Sequence, residues 1–410
     1  MSFPSPGRPA IVSRKYSRPL LAAIVLALLA ALVSCGNGKL PVSSSGNTAY
    51  VTLPNQGSVL TLHIDGANGT VKVLSSTPGY IGNTPQGLVL APANNFLYVA
   101  NSLASTISTF GIAGDGSLSL IGSTSVGPPN VTGPWETIVD TSGKYLLVTN
   151  TSGYVSVFSL DSSSGALTAA TGSPFYANES PTEIVMPPEG NLVYVSNSGS
   201  EYGTVTAFTF DPTLASCGAI LCNVPGSPFI AGAGASALAV DNTGQFLYVT
   251  NTTAINNPEL TNAVGNISAF SINTTTGALT TVPGSPFFPP FGNVTAGPSA
   301  LAVIPNTQFL YATTPGSYYS VWCFVINSET GQLTLATGAP FSVPAGGLFD
   351  VIDTNGDFLF IGTTSSFGSS SSGGGIAAAT YDPDTGQPTP VLYSPFATDG
   401  GIPGKMVIVP

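Results

Sequence analysis

Runs of apolar residues closed by a small polar one recur along the chain. They read NNFLYVANS (94–102), GKYLLVTNT (143–151), GNLVYVSNS (190–198), GQFLYVTNT (244–252), TQFLYATTP (307–315) and GDFLFIGTT (356–364), with a shorter TAYVTLPN at 48–55. Aligning Tyr50, Tyr98, Leu147, Tyr194, Tyr248, Tyr311 and Phe360 gives intervals of 48, 49, 47, 54, 63 and 49 residues. Each copy holds four strand-like pieces. An apolar piece such as SALAVDN leads into the recurring run. Next comes an alternating piece such as YVSVFSL (154–160), TVTAFTF (204–210) or NISAFSI (266–272). A turn of the SSSGALT or TTTGALT kind then leads to a last piece that ends on GSPF, GAPF or YSPF. Period-2 alternation with turn residues at fixed offsets, and no helical period, predicts an all-β chain. A repeat near fifty residues predicts a propeller with one four-stranded antiparallel blade per copy, seven in all.

The two ends complete the pattern. The first copy lacks its opening strand, and PGKMVIVP (403–410) has the character of an opening strand with nothing after it. Joining them builds the seventh blade from both termini, and closing the ring leaves no open sheet edge to protect. The longer intervals come from the CGAILC insertion, NTTAINNPELTNAVG and FFPPFGNVTAG.

The N-terminus breaks the pattern. Arg8, Arg14, Lys15 and Arg18 precede the apolar run LLAAIVLALLAALV, followed by Ser34-Cys35-Gly36. The run is shorter than the roughly 20 residues of a membrane-spanning helix and has the layout of an export signal. With cysteine after the small residues it resembles a bacterial lipobox, which implies cleavage before Cys35 and lipidation there. Several acyl chains hold a protein at a membrane stably. The predicted organisation is a signal at 1–34, a lipidated Cys35 with a tether to 47, and a propeller over 48–410. The expected location is the bacterial cell envelope, at the outer membrane facing the periplasm or the exterior.

Losing 1–34 removes every arginine and leaves four lysines against nineteen acids, a net charge of −15. Nucleic acid is excluded as a partner, because phosphate neutralisation needs clustered Lys and Arg. Cys217 and Cys222 flank a turn and are placed to close a small disulfide in an oxidising compartment. Cys323 lies in an apolar strand as a core residue. Neither a metal nor a cofactor is expected. DTNGD (353–357) has the start of a calcium loop, but DTSGK, PPEGN and DNTGQ stand at the same turn in other copies, so it reads as a hairpin. His63, the single histidine, has no nucleophile beside it, which argues against a Ser-His-Asp triad.

In a propeller the first strand of each blade lines a shared channel. Two residues after the proline or its equivalent, the copies give Gly87, Glu136, Glu183, Ala237, Ala300, Phe349 and Lys405, with Asp350 in the next column beside Thr137. Glu136 and Glu183 therefore come from adjacent blades, and Lys405 approaches them from the closing strand. Neighbouring carboxyls can split their pKa values and do acid/base work. The plainer alternative is a solvated polar rim around a water-filled channel.

With the copies aligned, the chain resembles the lactonase-type seven-bladed β-propeller family, whose named activity is hydrolysis of 6-phosphogluconolactone. SPTEIVMPPEGNLVYVSNSG (180–199) is similar to the family's S-E-I-x-x-S-P-D-G-x-x-L-Y-V-S-N-R-G segment, and the resemblance gives Glu183 the place of its active-site glutamate. The family's arginine is Ser198 here. Its G-P-H-x-H becomes GPWET, with Trp135 and Thr137 in the histidine places, and its G-P-R-H becomes GASA, with Ser236 and Ala237. Two functions follow. The missing cations favour a non-catalytic binding or scaffold module, with an envelope protein or glycan as partner at the channel mouth and the loops 252–266 and 365–375. The retained glutamate supports hydrolysis of a small, uncharged or weakly charged lactone through Glu183 and Glu136.

Overall fold

The computed structural model describes Met1 and residues 46–77, 84–199, 202–255, 264–288, 297–315, 320–342, 347–353, 356–364 and 373–410. The chain divides into two compact units, Met1–Ser44 and Ser45–Pro410. Residues 2–45, which hold the expected export signal, Cys35 and most of the expected tether, lie outside the described residues, as do parts of both long loops, 256–263 and 365–372.

Among the described residues of the second unit, the strands form seven antiparallel sheets, and no helix occurs. This is the expected seven-bladed propeller. Blade 2 is typical: Pro134–Val139, Tyr145–Asn150, Tyr154–Leu160 and Leu167–Ala169 pair in chain order, and the GSPF strand Phe175–Tyr176 joins the third strand. The closing blade sets Met406–Ile408 against Gly46–Leu53, with Ala49 opposite Ile408, Tyr50 opposite Val407 and Val51 opposite Met406. Its first N-terminal strand starts at Gly46, slightly inside the expected tether, because Gly46 and Asn47 still pair with Asp65 and Ile64.

The recurring phrase is apolar throughout because the second strand of a blade is covered on both faces by neighbouring blades. All six residues of Phe96–Asn101, Leu192–Asn197 and Phe358–Thr363 are buried. The tyrosine column has a further reason. Tyr98, Tyr194, Tyr248 and Tyr311 each donate a hydroxyl hydrogen bond to a glycine carbonyl in the next blade's outer turn: Gly165 (3.2 Å), Gly277 (3.0 Å), Gly331 (3.0 Å) and Gly386 (2.6 Å). Tyr50 does the same across the ring closure, to Gly116 at 2.8 Å. A buried phenol needs such a partner. The turn glycine is required as well. Gly331 has φ +71°, and a Cβ there would stand 2.2 Å from the Phe246 ring. Where Leu147 replaces tyrosine, blade 3 carries the Cys217–Cys222 disulfide insertion in place of the T-G-x-L turn, and Leu147 packs with Ile220 and Leu221.

Two other recurrent residues are accounted for by backbone satisfaction. The GSPF serines Ser173, Ser227, Ser285 and Ser394 accept the third-strand N–H of Val157, Ala207, Ala269 and Ala378. The hairpin aspartates do the same for their turn: Asp241 accepts from the N–H of Thr243, Gln245 and Phe246. Asp353 of DTNGD accepts from Asp357 and Phe358 at 2.7 Å each, so this carboxylate is engaged by its own hairpin. Cys323 is buried in the core.

Candidate functional site

Inner strands of all seven blades line one cavity of about 380 Å³. The whole column deduced from the repeats is present in its wall: Gly87, Glu136, Glu183, Ala237, Ala300, Phe349 and Lys405. The local reason is a β-bulge. Pairing between first and second strands slips between Pro85 and Leu88, Pro134 and Thr137, Pro181 and Ile184, and Ala235 and Leu238. A bulge leaves its extra residue outside the ladder and re-aims the side chain. It also leaves a backbone N–H to be satisfied, and here the second strand provides hydroxyls. Thr149 accepts the N–H of Glu136 (3.0 Å), Ser196 that of Glu183 (3.0 Å) and Thr250 that of Ala237 (2.8 Å). In the closing blade Thr52 accepts the N–H of Lys405 at 2.9 Å. Three of these hydroxyls then donate to the next inner strand: Thr52 to the Gln86 carbonyl, Thr149 to that of Thr182, and Ser196 to that of Ser236. The charged residues of the cavity are thus fixed at the backbone, blade to blade.

Their side chains meet. Lys405 Nζ lies 2.8 Å from Glu136 Oε2 and 2.9 Å from Glu183 Oε2. The Glu136 side chain is 8% exposed, Glu183 21% and Lys405 30%. Glu136 Oε1 also accepts the N–H of Thr137 at 3.0 Å. Space for this carboxylate comes from Gly87, where a Cβ would stand 2.8 Å from Glu136 Oε1. Burial pulls the lysine pKa down, but the fields of Glu136 and Glu183 outweigh it and hold the ammonium above the ordinary lysine range. Burial raises Glu183, against the opposing pull of Lys405, and the charge of Glu136 adds to the rise. Across the cavity, burial pushes Asp350 up to about 7.

The other residues singled out from sequence divide into two groups. Trp135 (37% exposed), Ser236 and Asp350 line the cavity. Thr137 and Ser198 do not. Thr137 is buried opposite Val148, past the bulge. Ser198, in the place of the family arginine, turns its N–H and hydroxyl onto the Ser180 carbonyl, at 3.0 and 3.3 Å. Thr182 and Gln86, also in the wall, and the hydroxyls of Thr52, Thr149 and Ser196 were not anticipated. For Thr149 and Ser196 the sequence signal was the small polar residue just before the terminal Asn of the recurring phrase. Among the described residues no group of three or more His, Cys, Asp or Glu is placed to hold a metal ion.

The sequence matches the family described as lactonase, 7-bladed beta-propeller over residues 34–175, 149–251 and 221–391. The chain belongs to this lactonase propeller family. Three solved structures share its fold at low identity. A proposed 6-phosphogluconolactonase from Bacteroides fragilis is 17% identical with a TM-score of 0.70, covering 91% of this chain and 100% of its own. Another from Bacteroides uniformis is 18% identical with a TM-score of 0.71, covering 89% and 100%. The Pseudomonas aeruginosa periplasmic gluconolactonase PpgL is 19% identical with a TM-score of 0.71, covering 89% and 99%. A comparison with curated proteins finds no match.

Proposed function

We propose that this lactonase-family propeller hydrolyses an uncharged lactone in its central cavity, with Glu183 as the base that activates water and Lys405 as the cation facing the developing oxyanion. The observation that carries the proposal is the bridge of Lys405 between Glu136 and Glu183 at 2.8 and 2.9 Å inside the cavity. An ammonium has three donors. Two serve the carboxylates, and the third remains for a carbonyl oxygen. Of the two glutamates, Glu136 is the more buried and has Oε1 engaged by Thr137, which suits an anchor. Glu183 is the more accessible, which suits contact with water. A positioned base contributes on the order of 10²–10⁴ in rate, and a preorganised cation stabilises the charge that forms on the carbonyl oxygen.

The cavity also argues for the charge of the substrate. Its ionisable lining residues are Glu136, Glu183, Asp350 and Lys405, so the single cation among them is already matched twice over. A phosphorylated lactone would meet no free positive charge, whereas an uncharged sugar lactone loses nothing by this, and Trp135 at the wall offers a ring face to stack on. Family membership supports hydrolysis, and the name of the Pseudomonas aeruginosa neighbour, a periplasmic gluconolactonase, supports both an unphosphorylated substrate and an extracytoplasmic site. The closed ion cluster favours this reading over the binding or scaffold module suggested by the missing histidines and arginines. We also read residues 1–34 as an export signal and Cys35 as the lipid carrier that tethers the mature protein to a bacterial cell envelope.

The test is turnover of purified mature protein with glucono-δ-lactone and with its 6-phosphate. The uncharged lactone is hydrolysed and the phosphorylated one is not; a preference for the phosphorylated substrate would overturn the charge argument.

A further inference from the structure

Opposite the ion cluster, the sixth blade places a carboxyl with no partner. Asp350 lines the cavity, and neither of its oxygens, both buried, has a hydrogen-bond partner among the described residues. It opens the short inner strand Asp350–Ile352 and pairs with Ile361 of the second strand. The inner strands on either side, Ala300–Val303 and Met406–Ile408, bring no ionisable side chain. The titratable groups facing Asp350 are therefore Lys405, just ahead of Met406, and behind it Glu136 and Glu183. Lys405 gives its two close contacts to the glutamates.

We propose that Asp350 is the proton donor of the hydrolysis, delivering a hydrogen to the ring oxygen as it leaves. The inference rests on the hydrolase reading and adds the acid that a base and a cation alone do not provide. A buried carboxylate without a partner is costly, and the usual outcome is that it takes up a proton. The neutral acid then has one O–H donor, with the Thr313 hydroxyl as its polar neighbour and no carboxylate or ammonium in contact, so that it can turn to a ligand. Burial raises the group to about 7, while the Thr313 hydroxyl and the Lys405 charge pull the other way. Glu183 is raised by burial and by the charge of Glu136 too, but an ammonium at 2.9 Å stabilises its carboxylate, and Asp350 has no ion-pair contact among the described residues. Two carboxyls whose surroundings separate their ionisation divide into base and acid.

The step balances. The water oxygen bonds to the lactone carbonyl carbon and loses a proton to the Glu183 carboxylate. The tetrahedral oxyanion, facing Lys405, collapses. The acyl–oxygen bond to the ring breaks, its electron pair stays on the ring oxygen, and that oxygen takes the Asp350 proton. Exchange with solvent returns the proton from Glu183 to Asp350, and the hydroxy acid formed ionises.

An acid matters only when the leaving oxygen is strongly basic. δ-Valerolactone leaves as an alkoxide and needs it; dihydrocoumarin leaves as a phenolate and does not. In the mature protein, Asp350→Asn is expected to lower kcat/KM for δ-valerolactone about 100-fold or more while changing dihydrocoumarin less than about fivefold. Equal loss on both substrates, as from a structural defect, overturns the inference, as does loss on neither. Should that variant fail to fold, the wild-type protein still gives an answer. The ratio of the two rates cancels the titration of Glu183 and falls about tenfold per pH unit once Asp350 ionises. Hydrolysis of both lactones at a pH-independent ratio would remove Asp350 and leave the hydrolase reading standing; hydrolysis of neither would remove both.

Discussion

Lys405→Met tests whether the lysine holds the two glutamates in place. Methionine fills the stem of the lysine and removes the charge. Exposed ion pairs contribute about 0–1 kcal/mol, whereas removing one partner of a buried pair costs about 3–5 kcal/mol. Lys405 is 30% exposed and Glu136 8%, so the site lies toward the buried limit with some screening. The expected loss is about 2–4 kcal/mol at pH 8. The sign with pH follows from linkage. A lysine whose folded pKa is raised contributes fully below its unfolded value of about 10.4 and loses that contribution only at still higher pH, so its own titration is silent between pH 5 and 8. In the variant, two adjacent carboxylates without a cation favour uptake of a proton by the folded state. That state then binds more protons than the unfolded chain, and stability falls as pH rises from about 4. The loss relative to wild type is therefore about 1 kcal/mol or less at pH 5 and grows to the full value at pH 8. Urea unfolding followed by fluorescence, with a common m-value, measures it. An equal loss at both pH values would refute the argument, because a packing defect does not titrate.

Two further outcomes concern the fold and the chain's address. Tyr194→Phe removes the bond that ties blade 3 to the Gly277 carbonyl of blade 4 at 3.0 Å and leaves that carbonyl unsatisfied, for an expected loss of about 1–2 kcal/mol in urea unfolding; an unchanged midpoint would mean that the seam is held by apolar packing alone. Cys35→Ser abolishes incorporation of labelled palmitate in a bacterial host if Cys35 is the lipid carrier, and labelling that persists in the variant would reject that assignment.

The ring was legible because the repeat is marked by residues with a structural duty in most blades. The tyrosine marks a hydrogen bond to the next blade, the turn glycine its acceptor, and the GSPF serine a third-strand N–H. Equivalent positions then face one cavity, which is how Lys405, more than two hundred residues from Glu183 in sequence, was expected beside it. Side-chain direction within the column was less legible. A one-residue bulge overrides period-2 alternation. Thr137 and Asp350 occupied the same aligned column and pair alike with the second strand, opposite Val148 and Ile361, yet only Asp350 lines the cavity. Ser198 was placed at the site by the family's arginine. A serine is too short to reach back from the strand end, and it binds Ser180 instead. The clamp hydroxyls of Thr149 and Ser196 were visible only as small polar residues, since the N–H groups they accept exist only because of the bulges.

The most direct test of the proposed chemistry compares wild-type protein with Glu183→Gln on glucono-δ-lactone, in a pH-stat at pH 7.5 with the uncatalysed rate subtracted. Glutamine keeps the size of the side chain and cannot take a proton from water, so kcat/KM is expected to fall at least about 100-fold with the fold intact. Equal turnover by the two proteins, or no turnover by the wild type on any uncharged lactone, would contradict the account.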